Sequence, residues 1–101
     1  MLIYNMTIKI GWTIQQNWLV WMREVYIPRI MQSGFFTKYQ LVRLLEIDED
    51  EGPTYALQLY ALNIENYHRF VEENLPEIER TNYDKWGSDV FFFSTLMEII
   101  E

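Results

Sequence analysis

The chain has no cysteine and a single histidine among its 101 residues. The first absence excludes a disulfide framework, a thiolate nucleophile and a thiolate metal centre. The second leaves no Ser-His-Asp or Cys-His arrangement, and His68 between Tyr67 and Arg69 reads as an exposed or half-exposed residue of a helix. Glycine is also sparse. Gly11, Gly34, Gly52 and Gly87 stand singly at element boundaries, so no glycine-rich phosphate loop exists. Positive charge is short: 8 Lys and Arg oppose 15 Asp and Glu, a net charge of −7. That balance disfavours sequence-independent binding to nucleic acid or anionic lipid. No apolar run approaches the roughly 20 residues needed to span a bilayer, and Met1 to Asn5 lacks the basic leader of a signal peptide. A soluble, cytoplasmic protein with no cofactor and no metal is the expectation.

The sequence abounds instead in apolar and aromatic residues. Half of the residues are hydrophobic and 17% are aromatic, far above the composition of a disordered chain. Residues 1–101 suffice for one domain with one core. Rings in such number exceed the needs of a small monomeric interior, and a partner surface is the natural place for the surplus.

Alternation and periodicity place the elements. Leu2 to Ile10 alternates, with Tyr4, Met6, Ile8 and Ile10 on one side and Asn5, Thr7 and Lys9 on the other, as a strand with one buried face does. Thr13 and Gln16 have the spacing of a capping box. Ile14, Trp18, Trp21, Met22 and Val25 then recur at steps of three and four, an apolar helical stripe for which core packing is the ordinary role. Pro28 is expected to kink or loosen this helix and Gly34 to end it. Phe35 to Ile47 and Thr54 to Leu62 read as strands joined by the charged turn Asp48 to Pro53. Asn63 is placed to cap a second helix, with Leu62 and Tyr67 as its hydrophobic staple. Pro76 is expected to break that helix, which resumes to about Trp86. A last strand runs from about Asp89 to Ile99. The acidic run Asp48 to Glu51 lacks the spacing of a calcium loop and reads as a solvated hairpin tip.

The segments Glu24-Val25-Tyr26-Ile27-Pro28-Arg29-Ile30 and Glu72-Glu73-Asn74-Leu75-Pro76-Glu77-Ile78 share the pattern Glu-x-x-aliphatic-Pro-x-Ile. Two β-α-β halves on one plan give the order β-α-β-β-α-β. The fold class expected is α+β, ferredoxin-like, a four-stranded antiparallel sheet with two helices on one face. The other sheet face stays open. The ligand-binding or dimer-face candidates on it are Asn5, Thr7, Gln58, Tyr60, Phe91 and Phe93, joined by Lys9, Thr54 and Met97. This face is polar at its centre with aromatic flanks, which suits a two-fold sheet-to-sheet homodimer of the dimeric α+β barrel type. Two readings of function are open. One is a non-enzymatic homodimeric module binding a small ligand or a protein partner through the open face. The other is a cofactor-independent dimeric-barrel enzyme, an oxygenase or isomerase, which needs an enclosed cavity holding Lys9 or Tyr60.

Several segments together resemble the family of small uncharacterised bacterial proteins defined as domain of unknown function 4286. They are Ile3-Tyr4-Asn5-Met6-Thr7, Trp18-Leu19-Val20-Trp21-Met22, Ile27-Pro28, Gly34-Phe35-Phe36, Thr54-Tyr55-Ala56-Leu57-Gln58, Leu75-Pro76 and Phe93-Ser94-Thr95-Leu96-Met97-Glu98. The resemblance runs in order along nearly the whole chain. It implies the ferredoxin-like fold and dimers, and it implies no activity. Family members carry a histidine two residues before each helix proline. Tyr26 and Asn74 stand at those positions here, so an imidazole site proposed for relatives has no counterpart in this chain.

Overall fold

The computed structural model of the protein describes residues 1–101. Four strands form one antiparallel sheet in the order β2-β3-β1-β4. They are β1 (Leu2–Ile10), β2 (Lys38–Arg43), β3 (Thr54–Ala61) and β4 (Val90–Glu98). Helices α1 (Gln15–Trp21) and α2 (Ile27–Gln32) connect β1 to β2, and α3 (Ile64–Glu73) and α4 (Leu75–Trp86) connect β3 to β4. The two central strands, β1 and β3, pair with each other from Leu2↔Ala61 to Lys9↔Thr54. β4 pairs with the other side of β1 from Leu2↔Glu98 to Ile10↔Val90 without a bulge.

The core lies between the helices and one face of this sheet. Period-two alternation sends Tyr4, Met6, Ile8 and Ile10 of β1, and Tyr55, Leu57, Leu59 and Ala61 of β3, to the covered face, where all are buried. Trp18, Met22, Ile30 and Phe70 complete the interior from the helices. Aromatic rings meet there edge-on, Phe36 with Phe70 at 4.8 Å between centroids and Tyr4 with Tyr67 at 5.5 Å, the geometry that ring quadrupoles favour.

The first helical segment departs from the sequence expectation in phase. Between α1 and α2 the chain makes a π-helical turn over Met22–Tyr26, and the Ile27 amide donates to the carbonyl of Met22, five residues back. Pro28 explains the widening, because its ring clashes with the preceding turn of a regular α-helix and it has no amide to donate. One extra residue in the turn rotates the rest of the segment by about 100°. Val25, expected on the buried stripe, is therefore turned outward and is 39% exposed, while Tyr26 and Ile27 take the core positions. Pro76 acts where expected: α3 ends at Glu73 and α4 starts at Leu75.

Other boundaries are corrected by the structure. Thr13 lies in a 3₁₀ turn, Trp12–Ile14, with no side-chain cap bond, and α1 begins at Gln15, whose side-chain amide donates to the Tyr55 hydroxyl at 2.9 Å. Asn63 does cap α3, accepting from the Asn66 amide at 2.9 Å, and Leu62, expected in the staple, is exposed. β2 is Lys38–Arg43, shorter at both ends than expected. The turn after it is not a free acidic tip. Arg43 grips the Glu49 carboxylate at 2.9 and 3.0 Å, and Trp12 Nε1 donates to the Glu49 carbonyl at 2.8 Å. The Glu49 carboxylate hydrogen bond holds the Arg43 guanidinium pKa above its ordinary value.

Candidate functional site

The strand registers lay out the open face row by row. One row runs Gln40, Gln58, Asn5, Thr95 across all four strands, an unbroken polar band. On one side of it run Val42, Ala56, Thr7 and Phe93, and then Thr54, Lys9 and Phe91. On the other side run Lys38, Tyr60, Ile3 and Met97. Rows of neighbouring strands are about 4.8 Å apart, so each band is a continuous surface rather than a set of isolated residues.

All six residues singled out in the sequence reach this face. Asn5, Thr7 and Gln58 are half-buried at its middle, and the Asn5 side-chain amide donates to the Thr7 hydroxyl at 3.2 Å. Tyr60 is half-buried, with the Lys38 ammonium 4.5 Å from its ring centre. Phe91 and Phe93 are 66% and 55% exposed. Phe93 is directly opposite Thr7 and Phe91 opposite Lys9. The aromatic flank is thus concentrated at the Phe91 and Phe93 corner, with Tyr60 at the opposite corner, rather than lying symmetrically on both sides.

Sequence reasoning missed the contribution of β2. Lys38, Gln40 and Val42 complete the rows because β2 pairs with β3 from Lys38↔Tyr60 to Arg43↔Tyr55. The alternation in that strand, Lys38 and Gln40 against Tyr39 and Leu41, was the available signal. The resulting face carries Lys9 and Lys38 and no carboxylate, although the chain has 15 acidic residues. The negative charge of the protein lies off these rows, and Glu51 and Asp89 border them at the Lys9 and Phe91 end.

Two concavities lie outside the middle of this face. One, of about 220 Å³, is lined by Lys9, Glu51, Asp89 and Phe91 at the end of β1. The other, of about 420 Å³, lies in the helix layer between Trp21, Val25 and Trp86. The Trp86 ring meets Trp21 edge-on at 5.7 Å, and its indole nitrogen is buried without an acceptor. His68 is exposed, its ring 5.6 Å from that of Tyr67. Tyr26, at one of the positions compared with the family histidines, is buried, and desolvation pushes its hydroxyl pKa far up, helped by Tyr4 and Glu79. It is a core residue that stays protonated. Asn74 is half-buried at the junction of α3 and α4, where its amide donates to the Phe70 carbonyl at 2.9 Å.

No helix is long and apolar enough to cross a membrane. No curated protein and no solved structure matches the chain. The family described as Domain of unknown function (DUF4286) matches over residues 1–100, and the chain belongs to that family.

Proposed function

We propose that the protein is a non-enzymatic, ferredoxin-like module that dimerises through its open sheet face and presents or encloses there a site for a small ligand or a protein partner. The observation that carries this reading is the exposure of Phe91 and Phe93 side by side on a face whose strand rows carry no carboxylate. Large rings left in water are unfavourable by about 25 cal/mol for each Å² of apolar surface. A two-fold contact uses one patch twice, so a single aromatic corner serves both subunits. The band Gln40, Gln58, Asn5 and Thr95 then meets its own copy, and amide and hydroxyl groups bond across the axis or through water. With no carboxylate in the strand rows of the contact face, the like-charge repulsion that a net charge of −7 imposes on self-association is weakened there.

Light scattering over a concentration series tests the reading. Phe93→Glu and, on a strand remote from the sheet edge, Gln58→Glu each bring a carboxylate into the contact near its symmetry mate. Either costs several kcal/mol of association through desolvation and repulsion. Glu72→Lys, an exposed change on α3, leaves association as in the wild type. A wild type that scatters as a monomer at high concentration, or variants that associate as tightly as wild type, overturn the proposal.

A further inference from the structure

The two edges of the sheet are built differently. β2, at one edge, has six residues with Lys38 at its start and Arg43 at its end. Short length and cations at an edge are the ordinary protection against pairing with another chain. β4, at the other edge, has nine residues. From Val90 to Met97 it contains no charge and no proline, and its pairing with β1 is free of bulges. None of the usual protections is present. The helix layer stops short of it as well: Ser94 and Leu96, on the covered side by alternation, are exposed, Leu96 to 38%.

The hydrogen-bonding phase of this edge is set by one contact. The Ile99 amide donates to the Met1 carbonyl at 2.9 Å. In an antiparallel ladder bonded and non-bonded pairs alternate, so odd-numbered residues of β4 bond to β1. Phe92, Ser94, Leu96 and Glu98 therefore turn amide and carbonyl outward, an unpaired row ready to bond a further strand.

We infer that β4 pairs antiparallel with β4 of a second copy of this chain, about a two-fold axis at Ser94. The strand is self-complementary in that register. Phe92 faces the partner's Leu96, which covers the exposed apolar side chain, and Phe91 faces the partner's Met97. The two Glu98 carboxylates fall at opposite ends, about 27 Å apart at roughly 3.4 Å per residue, beyond the ~8 Å screening length at physiological salt. An acidic chain opposes almost any contact with itself, and in this register carboxylates approach only at the two ends, where Glu98 of one copy faces Val90 beside Asp89 of the other, while the middle of the contact carries no charge. Such an axis is perpendicular to the sheet, so the open faces of the two copies lie on one side as one eight-stranded surface. The edge contact is thus independent of the face contact proposed above, and both together give a tetramer.

The absence of native cysteine makes cross-linking a clean test. Directly bonded antiparallel pairs have Cα atoms about 5.5 Å apart, inside the roughly 4.4–6.8 Å that a disulfide spans. Under a mild oxidant, Ser94→Cys forms a covalent dimer on a non-reducing gel at least about tenfold faster than Lys38→Cys on the opposite edge. Adding Leu96→Lys, at an exposed position the fold tolerates, buries a charge in the edge contact and slows the Ser94→Cys link by about tenfold or more. Adding Gln58→Glu, which breaks only the face contact, leaves the link rate unchanged. Equal rates at the two edges, no effect of Leu96→Lys, or loss of the link with Gln58→Glu would each overturn the inference.

Discussion

Among the four glycines, Gly52 is the one where an added methyl group meets the tightest surroundings. A Cβ built on it lies 1.8 Å from the Ile10 carbonyl oxygen, 2.8 Å from the Ile10 carbonyl carbon and 3.0 Å from Gly11 Cα. All three are backbone atoms, so no side chain can swing aside. Relief requires the end of β1 and the turn before β3 to part by about an ångström, more than a packed interior yields without loss. The Ile10 amide to Pro53 carbonyl bond, at 3.2 Å, spans that gap and stretches with it. Overpacking costs roughly 1–3 kcal/mol and a lost backbone hydrogen bond about 1 kcal/mol more. Gly52→Ala is therefore expected to destabilise by about 3 kcal/mol, which lowers the melting temperature of a domain this size by roughly 12–24 °C. Gly34→Ala is the control. Gly34 also has positive φ, at 81°, but its Cβ meets nothing within 4 Å, so the cost there is limited to backbone strain of about 1 kcal/mol. Urea unfolding followed by tryptophan fluorescence gives both values. A Gly52→Ala variant no less stable than Gly34→Ala would show that the approach to Ile10 is relaxed in solution and that the steric reasoning fails.

The π-helical turn predicts an inversion at adjacent residues. Val25→Asp, at an outward position, is expected to change stability by less than about 0.5 kcal/mol, and Tyr26→Ala to cost about 3–5 kcal/mol as a large ring leaves the core. Chemical denaturation separates the two, and a Val25→Asp variant that fails to fold would mean that the helix follows its regular phase after all. The buried phenols predict a loss of stability in alkali. Burial raises the hydroxyl pKa of Tyr26, and less strongly that of Tyr4, above the ordinary value of 10.0. The unfolded chain then releases protons from pH 10 upward while the native core retains them, so the contribution of these two phenols is constant below pH 10 and stability falls as pH rises beyond it. Absorbance titration of tyrosinate should show these two residues ionising at higher pH than the exposed tyrosines. Ionisation near pH 10 in a chain that keeps its native circular dichroism would contradict their placement.

The sheet is legible in the sequence because period two is a strict rule. Alternation in Leu2–Ile10 assigns Asn5, Thr7 and Lys9 to the open face, and a consistent parity in β4 sends Phe91, Phe93 and Met97 to the same side. The helices are less legible, since a helical phase is an average that one inserted residue resets. Pro28 announces a disturbance, but the pattern of residues does not say whether the helix bends or widens, and Val25 is misplaced by a regular period for that reason. In the Asp48 to Pro53 turn, local charge alone suggests a free tip. The contacts that organise it come from far along the chain: Trp12 is 37 residues from Glu49, a separation at which no periodicity carries information. The candidate face is incomplete in the sequence on the same ground, because β2 completes it only through its pairing with β3.

β4 joins the two surfaces on which association is proposed. Its odd residues carry Phe91 and Phe93 onto the open face, and its even residues turn unpaired amides and the exposed Leu96 to the edge. A strand rich in β-branched or aromatic residues, nine long and uncharged over its first eight, is a template for aggregation when nothing covers it. The chain's net charge of −7 gives general protection by mutual repulsion. The carboxylates that supply it are absent from the strand rows of the open face and flank β4 only at its ends, Asp89 before it and Glu98 as its last residue. Repulsion therefore acts weakly where these surfaces meet and strongly in other orientations. That distribution favours a closed two-fold contact over indiscriminate stacking, because closure satisfies the exposed edge of β4 and leaves no unpaired copy of it outward. Substituting Leu96 by lysine trades this specific protection for a general one, and the variant is expected to stay in solution as it loses its edge partner.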